Sequence, residues 1–183
     1  MGKVAFLFAG QGAQHPGMGA GIAAASPAAR AVFEVTDSVR PHTFEQCRQG
    51  TKEELSQTEN TQPCVFATDL ACARALEERG VEPDVVAGFS LGEVAALTFA
   101  GAFSDKKGFE LVCRRAELMA AAASAHPGAM RAVVKLDAAR VEELAAEAAR
   151  QTVGDCWPVN YNSPMQTVVA GSPAACAKLD ELV

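Results

Sequence analysis

The sequence has 183 residues and is 49% hydrophobic, which is enough for one ordinary hydrophobic core with a small appended subdomain. The formal net charge is -6 and no basic cluster is present, so nucleic acid is not an expected partner. No apolar run is long enough to span a bilayer, and the first residues lack the pattern of a signal peptide. We therefore expect a globular protein without a membrane partner.

The chain contains six cysteines and three histidines. None of the cysteines forms a CxxC pair, and no histidine lies at metal-ligand spacing from them, so the sequence predicts no metal site. Several cysteines fall within apolar helical patterns, which indicates buried, reduced thiols and hence a cytoplasmic protein.

The first part of the chain alternates apolar strand patterns with helix signals. Residues 3–9 predict a strand buried on both faces, as in a parallel sheet. Ser26 before Pro27 is typical of a helix start, as is the Thr51 and Glu54 capping box. The other predicted elements are a helix opening at Pro63 and ended by Gly80, a strand over 85–89, a helix over 91–100 closed by Gly101, and a long helix capped by Ser104.

The pattern changes after residue 125. Residues 129–136 predict a strand, 138–150 a helix, 157–162 and 165–171 two strands, and 173–183 a helix. These are five of the six elements of a split βαββαβ unit, and the closing strand is missing. We therefore predict a large domain over 1–125 and a small subdomain over 126–183.

Residues 88–92 read GFSLG, which places Ser90 between two glycines at the junction of a predicted strand and helix. Such a turn is typical of a nucleophile elbow, because glycine tolerates the strained backbone and the close approach of neighbouring chain. The turn exposes the hydroxyl and directs the Leu91 N–H, at the helix start, toward a developing oxyanion. The alternative is a chance GxSxG in a loop, and the flanking elements favour the elbow.

Gln11 follows the first predicted strand, between two glycines. Because the carboxyl ends of parallel strands gather at one edge of a sheet, Gln11 and Ser90 are expected at the same edge. The backbone N–H of Gln11 is then a second candidate oxyanion donor. A solvated glutamine in a glycine-rich turn is the alternative, whereas a phosphate-binding loop is excluded because its Lys-Ser/Thr ending is absent.

Arg115 lies on an apolar face of the long predicted helix. The other members of that face are Leu111, Val112, Leu118 and Met119. A charge on such a face requires a buried carboxylate or a ligand anion, unless the side chain extends along the surface with its head in water. The adjacent Arg114 points to the acidic side of the helix and predicts a solvated ion pair.

Five motifs occur in an order and spacing that resemble the malonyl-CoA:acyl carrier protein transacylases of fatty acid and polyketide synthesis. They read GQGAQHPGMG, GFSLGEVAAL, CRRAELM, GAMRAVVKLD and VNYNSPMQTVVAG, and the resemblance covers essentially the whole chain. It implies an α/β fold: a hydrolase-like large domain with a parallel sheet and an inserted ferredoxin-like small subdomain, both incomplete in this chain.

The resemblance also implies an acyltransferase that uses no cofactor. Its serine takes the malonyl group from malonyl-CoA as an ester and passes it to the phosphopantetheine thiol of the acyl carrier protein. The implied residues are Ser90 as nucleophile, the Gln11 and Leu91 N–H groups as oxyanion donors, Arg115 as the clamp on the malonyl carboxylate, and Asn162, Phe89 and Met119 beside the substrate.

Two departures from the family pattern bear on this interpretation. Phe89 stands where the family usually has histidine, so a polar neighbour of the acyl pocket is replaced by an apolar one. The catalytic histidine of the family lies downstream of the small subdomain, beyond Val183, and His15, His42 and His126 do not occupy its place. The chain is therefore expected to be impaired by itself, whether as a fragment, a part of a longer enzyme, or one half of a split protein.

Three hypotheses follow for the function. The first is the malonyl transferase, with a complementing C-terminal segment as one further predicted partner. The second is a non-catalytic module that binds acyl-CoA or carrier protein, which the missing histidine favours. The third is a serine hydrolase, against which the early GQG loop, the small subdomain and Arg115 count.

Overall fold

A computed structural model describes residues 2–183, which form two compact units. The first unit ends at Ala121, and the second covers Ala122–Val183. The sequence predicts a domain boundary between residues 125 and 126, and that boundary stays a prediction. Among residues 2–183, no helix combines the length and the apolar character needed to cross a membrane.

Nine elements make up the first part of the chain. They are β1 (Ala5–Phe8), α1 (Ala20–Ala25), α2 (Pro27–Val39), α3 (Thr43–Gln49), α4 (Lys52–Leu55), α5 (Thr58–Glu78), β2 (Val85–Gly88), α6 (Leu91–Phe99) and α7 (Asp105–Ala125). The predicted caps are present: the Ser26 hydroxyl accepts from the Ala29 N–H, and Thr51 forms its capping box with Glu54. Helices α1 and α3 have no side-chain cap in the sequence or the structure. Each is preceded by a residue in the left-handed conformation, Gly19 and His42 respectively.

Strands β1 and β2 pair in parallel, from Ala5 opposite Val85 to Phe8 opposite Gly88. Phe6 and Phe8 of β1 are buried in the core of the first unit, whereas Leu7 between them is 80% exposed. The prediction of a strand buried on both faces is therefore wrong for β1. Helices cover one face of this sheet, and the face that carries Leu7 is open.

Helix α5 differs from the prediction at its start, because it begins at Thr58 and contains Pro63 in its interior. The N–H groups of Asn60 and Thr61 both bond to the Gln57 carbonyl, and the Thr61 hydroxyl also bonds to Gln57 at 2.9 Å, so the first turn is already formed. A proline this near the N-terminal end removes only one backbone hydrogen bond. The helix therefore starts one turn before the proline, at Thr58, and not at Pro63 as the sequence predicts.

The second unit contains one antiparallel sheet covered by two helices. Its elements are β3 (Ala129–Val134), α8 (Ala138–Gln151), β4 (Cys156–Ser163), β5 (Gln166–Gly171) and α9 (Pro173–Leu182), and the strand order is β3-β5-β4. Its core is a separate cluster that includes Val133, Val141, Val169 and Leu179. The order of strands and helices agrees with the sequence pattern.

Asp69 of α5 ties this long helix to the end of β1. One carboxylate oxygen is buried without a hydrogen-bond partner, while the group accepts a bond from the Ala9 backbone N–H. Burial raises the pKa of Asp69 to about 7, and the bond from Ala9 offsets only part of this effect. The folded state therefore favours the protonated acid.

We expect Asp69→Asn to stabilise the fold at pH 8 and to have less effect near pH 4. The unfolded carboxyl ionises near pH 4, so between about pH 4 and 7 only the folded state retains the proton and the free energy of unfolding falls as pH rises. The pKa of about 7 in the folded state lies about three units above the value in the unfolded chain, and one unit corresponds to about 1.4 kcal/mol, so the gain at pH 8 is expected to be at most about 4 kcal/mol.

Urea unfolding at both pH values measures this difference. Asp155→Asn provides the control, because it removes the same charge at an exposed position. An equal effect of Asp69→Asn at pH 4 and pH 8 would contradict the assigned protonation.

Candidate active site

Ser90 occupies a strained turn between β2 and α6. Its backbone has φ 54 and ψ -110, a conformation that residues other than glycine rarely adopt. Two backbone hydrogen bonds close the turn, from the Gly92 N–H to the Phe89 carbonyl at 2.9 Å and from the Glu93 N–H to the Ser90 carbonyl at 3.1 Å. The side chain is exposed, so the turn presents the hydroxyl to solvent.

The two glycines of the turn lie backbone against backbone. A Cβ atom on Gly88 would overlap the carbonyl group of Gly92, and a Cβ atom on Gly92 would overlap the carbonyl oxygen of Phe8. Any side chain at either position would push the turn away from the end of β1. The local geometry of a nucleophile elbow is therefore present, and for the reason that the sequence pattern indicates.

Arg115 of α7 reaches the serine hydroxyl. Its Nη2 donates to Ser90 Oγ at 3.2 Å, and its Nη1 donates to the side-chain oxygen of Gln62 at 2.5 Å. Within residues 2–183, no carboxylate lies within ion-pair distance of the Arg115 guanidinium, so a buried acidic partner is not what satisfies it. The adjacent Arg114 forms the predicted surface ion pair, with Glu117 at 2.9 Å.

The face of α7 that carries Arg115 is less buried than its apolar pattern predicts. Val112 is fully buried, whereas Leu118 is 53% exposed and Met119 is 43% exposed. Arg115 itself is half-buried. The guanidinium is therefore partly desolvated and is open to a ligand from this side.

Gln62 of α5 is a site residue that sequence reasoning missed. Its side chain is fully buried, although glutamine is a residue type that usually lies at the surface. The residue lies directly before Pro63, so the prediction of a helix that starts at this proline places Gln62 outside the helix. A polar residue within the buried stretch Thr61–Ala67 is the signal that indicates its role.

The turn after β1 packs against the elbow that carries the serine. Gly10 packs against the elbow, since a Cβ atom there would lie 2.7 Å from both the ring and the carbonyl oxygen of Phe89. In the described part of the chain, the backbone N–H groups of Gln11 and Leu91 have no hydrogen-bond acceptor. Leu91 is also the first residue of α6, where the helix dipole favours negative charge.

The other predicted site residues have the following surroundings. Phe89 is 52% exposed, and the sulfur of Met119 accepts a hydrogen bond from the Gln62 side-chain nitrogen at 3.2 Å. The Gln11 side chain donates to the Thr58 hydroxyl at 3.4 Å. Asn162 lies in β4 of the second unit, so its predicted place beside the substrate stays a prediction.

The three histidines make local contacts. A ring nitrogen of His15 lies 3.1 Å from the Pro16 carbonyl, His42 pairs with Glu45, and His126 is exposed. In residues 2–183, the hydrogen-bond partner of the Ser90 hydroxyl is Arg115 rather than a histidine. No group of three His, Cys, Asp or Glu side chains within the same residues could hold a metal ion.

The parallel strand pair, the strained serine and the helix that starts beside it define an α/β protein with a nucleophile elbow. The chain belongs to the acyl transferase family, whose profile, described as "Acyl transferase domain", matches residues 5–183. The malonyl CoA-acyl carrier protein transacylase of Bacillus subtilis is 36% identical over 184 residues, which cover 100% of this chain.

Solved structures are similar over nearly the whole chain. The malonyl CoA-acyl carrier protein transacylase from Clostridium perfringens has a TM-score of 0.91 and 34% identity, over 99% of this chain and 57% of that one. A malonyl-transacylase in complex with its type II polyketide synthase acyl carrier protein has a TM-score of 0.88 and 34% identity, over 98% of this chain and 58% of that one. This chain spans 57% of the length of the Bacillus relative.

We expect Gly92→Ala to destabilise the first unit by about 1–3 kcal/mol, because the added methyl group overlaps the carbonyl oxygen of Phe8. Urea unfolding measures the change. Gly21→Ala is the matched control, because Gly21 lies in α1 with no atom within 4 Å of its added Cβ. The control is expected to be neutral or up to about 1 kcal/mol more stable. Equal stability of the two variants would show that the turn is not closely packed.

Proposed function

We propose that this chain carries the nucleophile and the acyl-binding residues of a malonyl-CoA:acyl carrier protein transacylase. Such an enzyme moves a malonyl group from coenzyme A to the phosphopantetheine thiol of an acyl carrier protein, in fatty acid or polyketide synthesis in the cytoplasm. The observation that carries the proposal is the hydrogen bond of 3.2 Å between the Arg115 guanidinium and the hydroxyl of the strained Ser90. The names of the similar transacylases support the choice of substrates.

In the first half-reaction, Ser90 Oγ attacks the thioester carbonyl of malonyl-CoA. The developing oxyanion accepts hydrogen bonds from the free N–H groups of Gln11 and Leu91, and the C–S bond then breaks to release the coenzyme A thiol. In the second, the phosphopantetheine thiol attacks the seryl ester and Ser90 regains its proton. The base that moves this proton is predicted to be the downstream histidine of the family.

The guanidinium of Arg115 accounts for the choice of a malonyl group. Arg115 Nη2 contacts Ser90 Oγ, so an acyl group attached to Oγ as an ester lies next to the guanidinium. A carboxylate on that acyl group can therefore pair with the half-buried cation. Planar guanidinium and carboxylate groups form two parallel hydrogen bonds. Hydrogen bonds to charged groups contribute about 1.5–3 kcal/mol, enough to favour malonyl over acetyl by tenfold or more.

Three further residues complete the proposed acyl site. Phe89 and Met119, which are 52% and 43% exposed, are proposed to provide apolar surface beside the acyl group. Asn162 is proposed to approach the substrate from the small subdomain. No cofactor is needed, because the reaction only exchanges one oxygen or sulfur acyl acceptor for another.

The proposed architecture is a hydrolase-like large domain over 1–125 with a ferredoxin-like subdomain over 126–183. Within a split βαββαβ unit, β3, β4 and β5 are the first, second and third strands, and their order β3-β5-β4 supports this assignment. The free edge of β3 is then the place of a closing strand. A complementing C-terminal segment that supplies the strand and the histidine is part of the proposal.

A second candidate function is a non-catalytic module that binds acyl-CoA or carrier protein. It is favoured by one observation: the hydrogen-bond partner of Ser90 Oγ among the described residues is a cation and not a base. A serine hydrolase is disfavoured, because a guanidinium at the serine suits a second carboxylate on the acyl group.

We expect the chain to form a malonyl ester on Ser90 when it is incubated with malonyl-CoA, and Ser90→Ala to abolish the adduct. The strained elbow and the free N–H groups provide residual acceleration even where a base is missing. Intact-mass spectrometry detects the ester. A folded chain without any adduct would favour the binding module over the transferase.

We expect Arg115→Ala to lower the preference for malonyl-CoA over acetyl-CoA by tenfold or more, because the variant loses the charged hydrogen bonds to the free carboxylate. The ratio of the two acylation rates of Ser90 measures the effect. Arg114→Ala is the matched control, since Arg114 pairs with Glu117 in solvent and its loss is expected to leave the ratio unchanged. An unaltered ratio in Arg115→Ala would contradict the clamp.

A further inference from the structure

Gln62 holds Arg115 through a side chain that has no contact with solvent. The residue lies in α5 with 0% exposure, and its oxygen accepts from Arg115 Nη1. Its nitrogen donates to the Met119 sulfur at 3.2 Å, so both ends of the carboxamide are used. The contact to the guanidinium fixes the orientation of the amide, because the reverse orientation would direct an NH₂ group at the guanidinium donors.

The amide is a neutral acceptor in a place where a carboxylate would also fit by shape. A carboxylate there would form an ion pair with Arg115 and would compete with any anionic ligand. The carboxamide instead fixes one edge of the guanidinium and leaves its charge uncompensated. The other edge, through Nη2, faces Ser90.

We propose that Gln62 is a positioning residue that keeps Arg115 both oriented and uncompensated in charge, and so determines the preference for acyl groups that carry a carboxylate. This inference rests on the proposed function, because Gln62 is proposed to keep the charge of Arg115, the proposed carboxylate clamp, uncompensated. The residue acts through Arg115 and does not touch the reacting atoms.

The test compares the affinities of malonyl-CoA and acetyl-CoA in a Ser90→Ala background, where no ester forms. Isothermal titration calorimetry of this parent is expected to show a preference for malonyl-CoA of tenfold or more. Adding Gln62→Glu, which keeps the shape and introduces a charge, is expected to reduce the ratio to within twofold of one. The affinity for acetyl-CoA is expected to stay the same, which a general loss of structure would not produce.

Two further variants keep the test decisive. Gln62→Leu removes the acceptor without adding charge, so its ratio is expected to lie between those of the parent and of Gln62→Glu. It carries the test alone where Gln62→Glu does not fold, as judged by circular dichroism. Gln49→Glu, on the exposed end of α3, makes the same change in net charge and is expected to keep the parent ratio.

Several outcomes would overturn the inference. These are a parent ratio that persists in Gln62→Glu or in Gln62→Leu, an equal loss of affinity for both thioesters, and a parent that binds the two equally or binds neither. The proposed function is judged separately, by the malonyl ester on Ser90 in the unsubstituted chain. An ester without any effect of Gln62 would leave the transferase in place and remove only the positioning role.

Discussion

The site depends on the contact of bare backbone with bare backbone at the end of β2. Gly88 lies against Gly92, and Gly92 lies against the last residue of β1, with no room for a Cβ atom at either position. This contact sets the first turn of α6 directly on the sheet and forces Ser90, which lies between the glycines, into a conformation with positive φ. The strain of Ser90 is thus imposed by the packing of its neighbours, and the exposure of its hydroxyl and the free N–H of Leu91 follow from the same packing.

Local features of the fold were predictable because neighbouring residues determine them. Ser26 with Pro27, and Thr51 with Glu54, satisfy helix N–H groups within one turn, and the pattern of residues 88–92 requires its own geometry. The predictions are wrong where burial depends on contacts with distant parts of the chain. Leu7 is exposed because helices cover only one face of the β1–β2 sheet, a property that the apolar run over 3–9 does not encode.

The candidate site divides in the same way. Ser90 and the charge of Arg115 could be predicted from sequence, since a short motif marks one and an apolar helical face marks the other. The partner of Arg115 could not, because Gln62 lies on another helix, and only the packing of α5 against α7 brings the two side chains together. An interpretation of the proline that follows Gln62 as a helix start removed this residue from the helix on which its role depends.

The electrostatic state of Arg115 connects the fold to the proposed chemistry. Its half-buried guanidinium donates hydrogen bonds to an amide and a hydroxyl, and among residues 2–183 it has lost part of its hydration without gaining a counter-charge. Under the proposed function, a malonyl carboxylate supplies this charge through hydrogen bonds to the guanidinium. An acetyl group brings no charge and leaves the guanidinium uncompensated. The preference for a malonyl group then requires that the residue behind Arg115 remain uncharged, because an acidic side chain there would already supply the counter-charge.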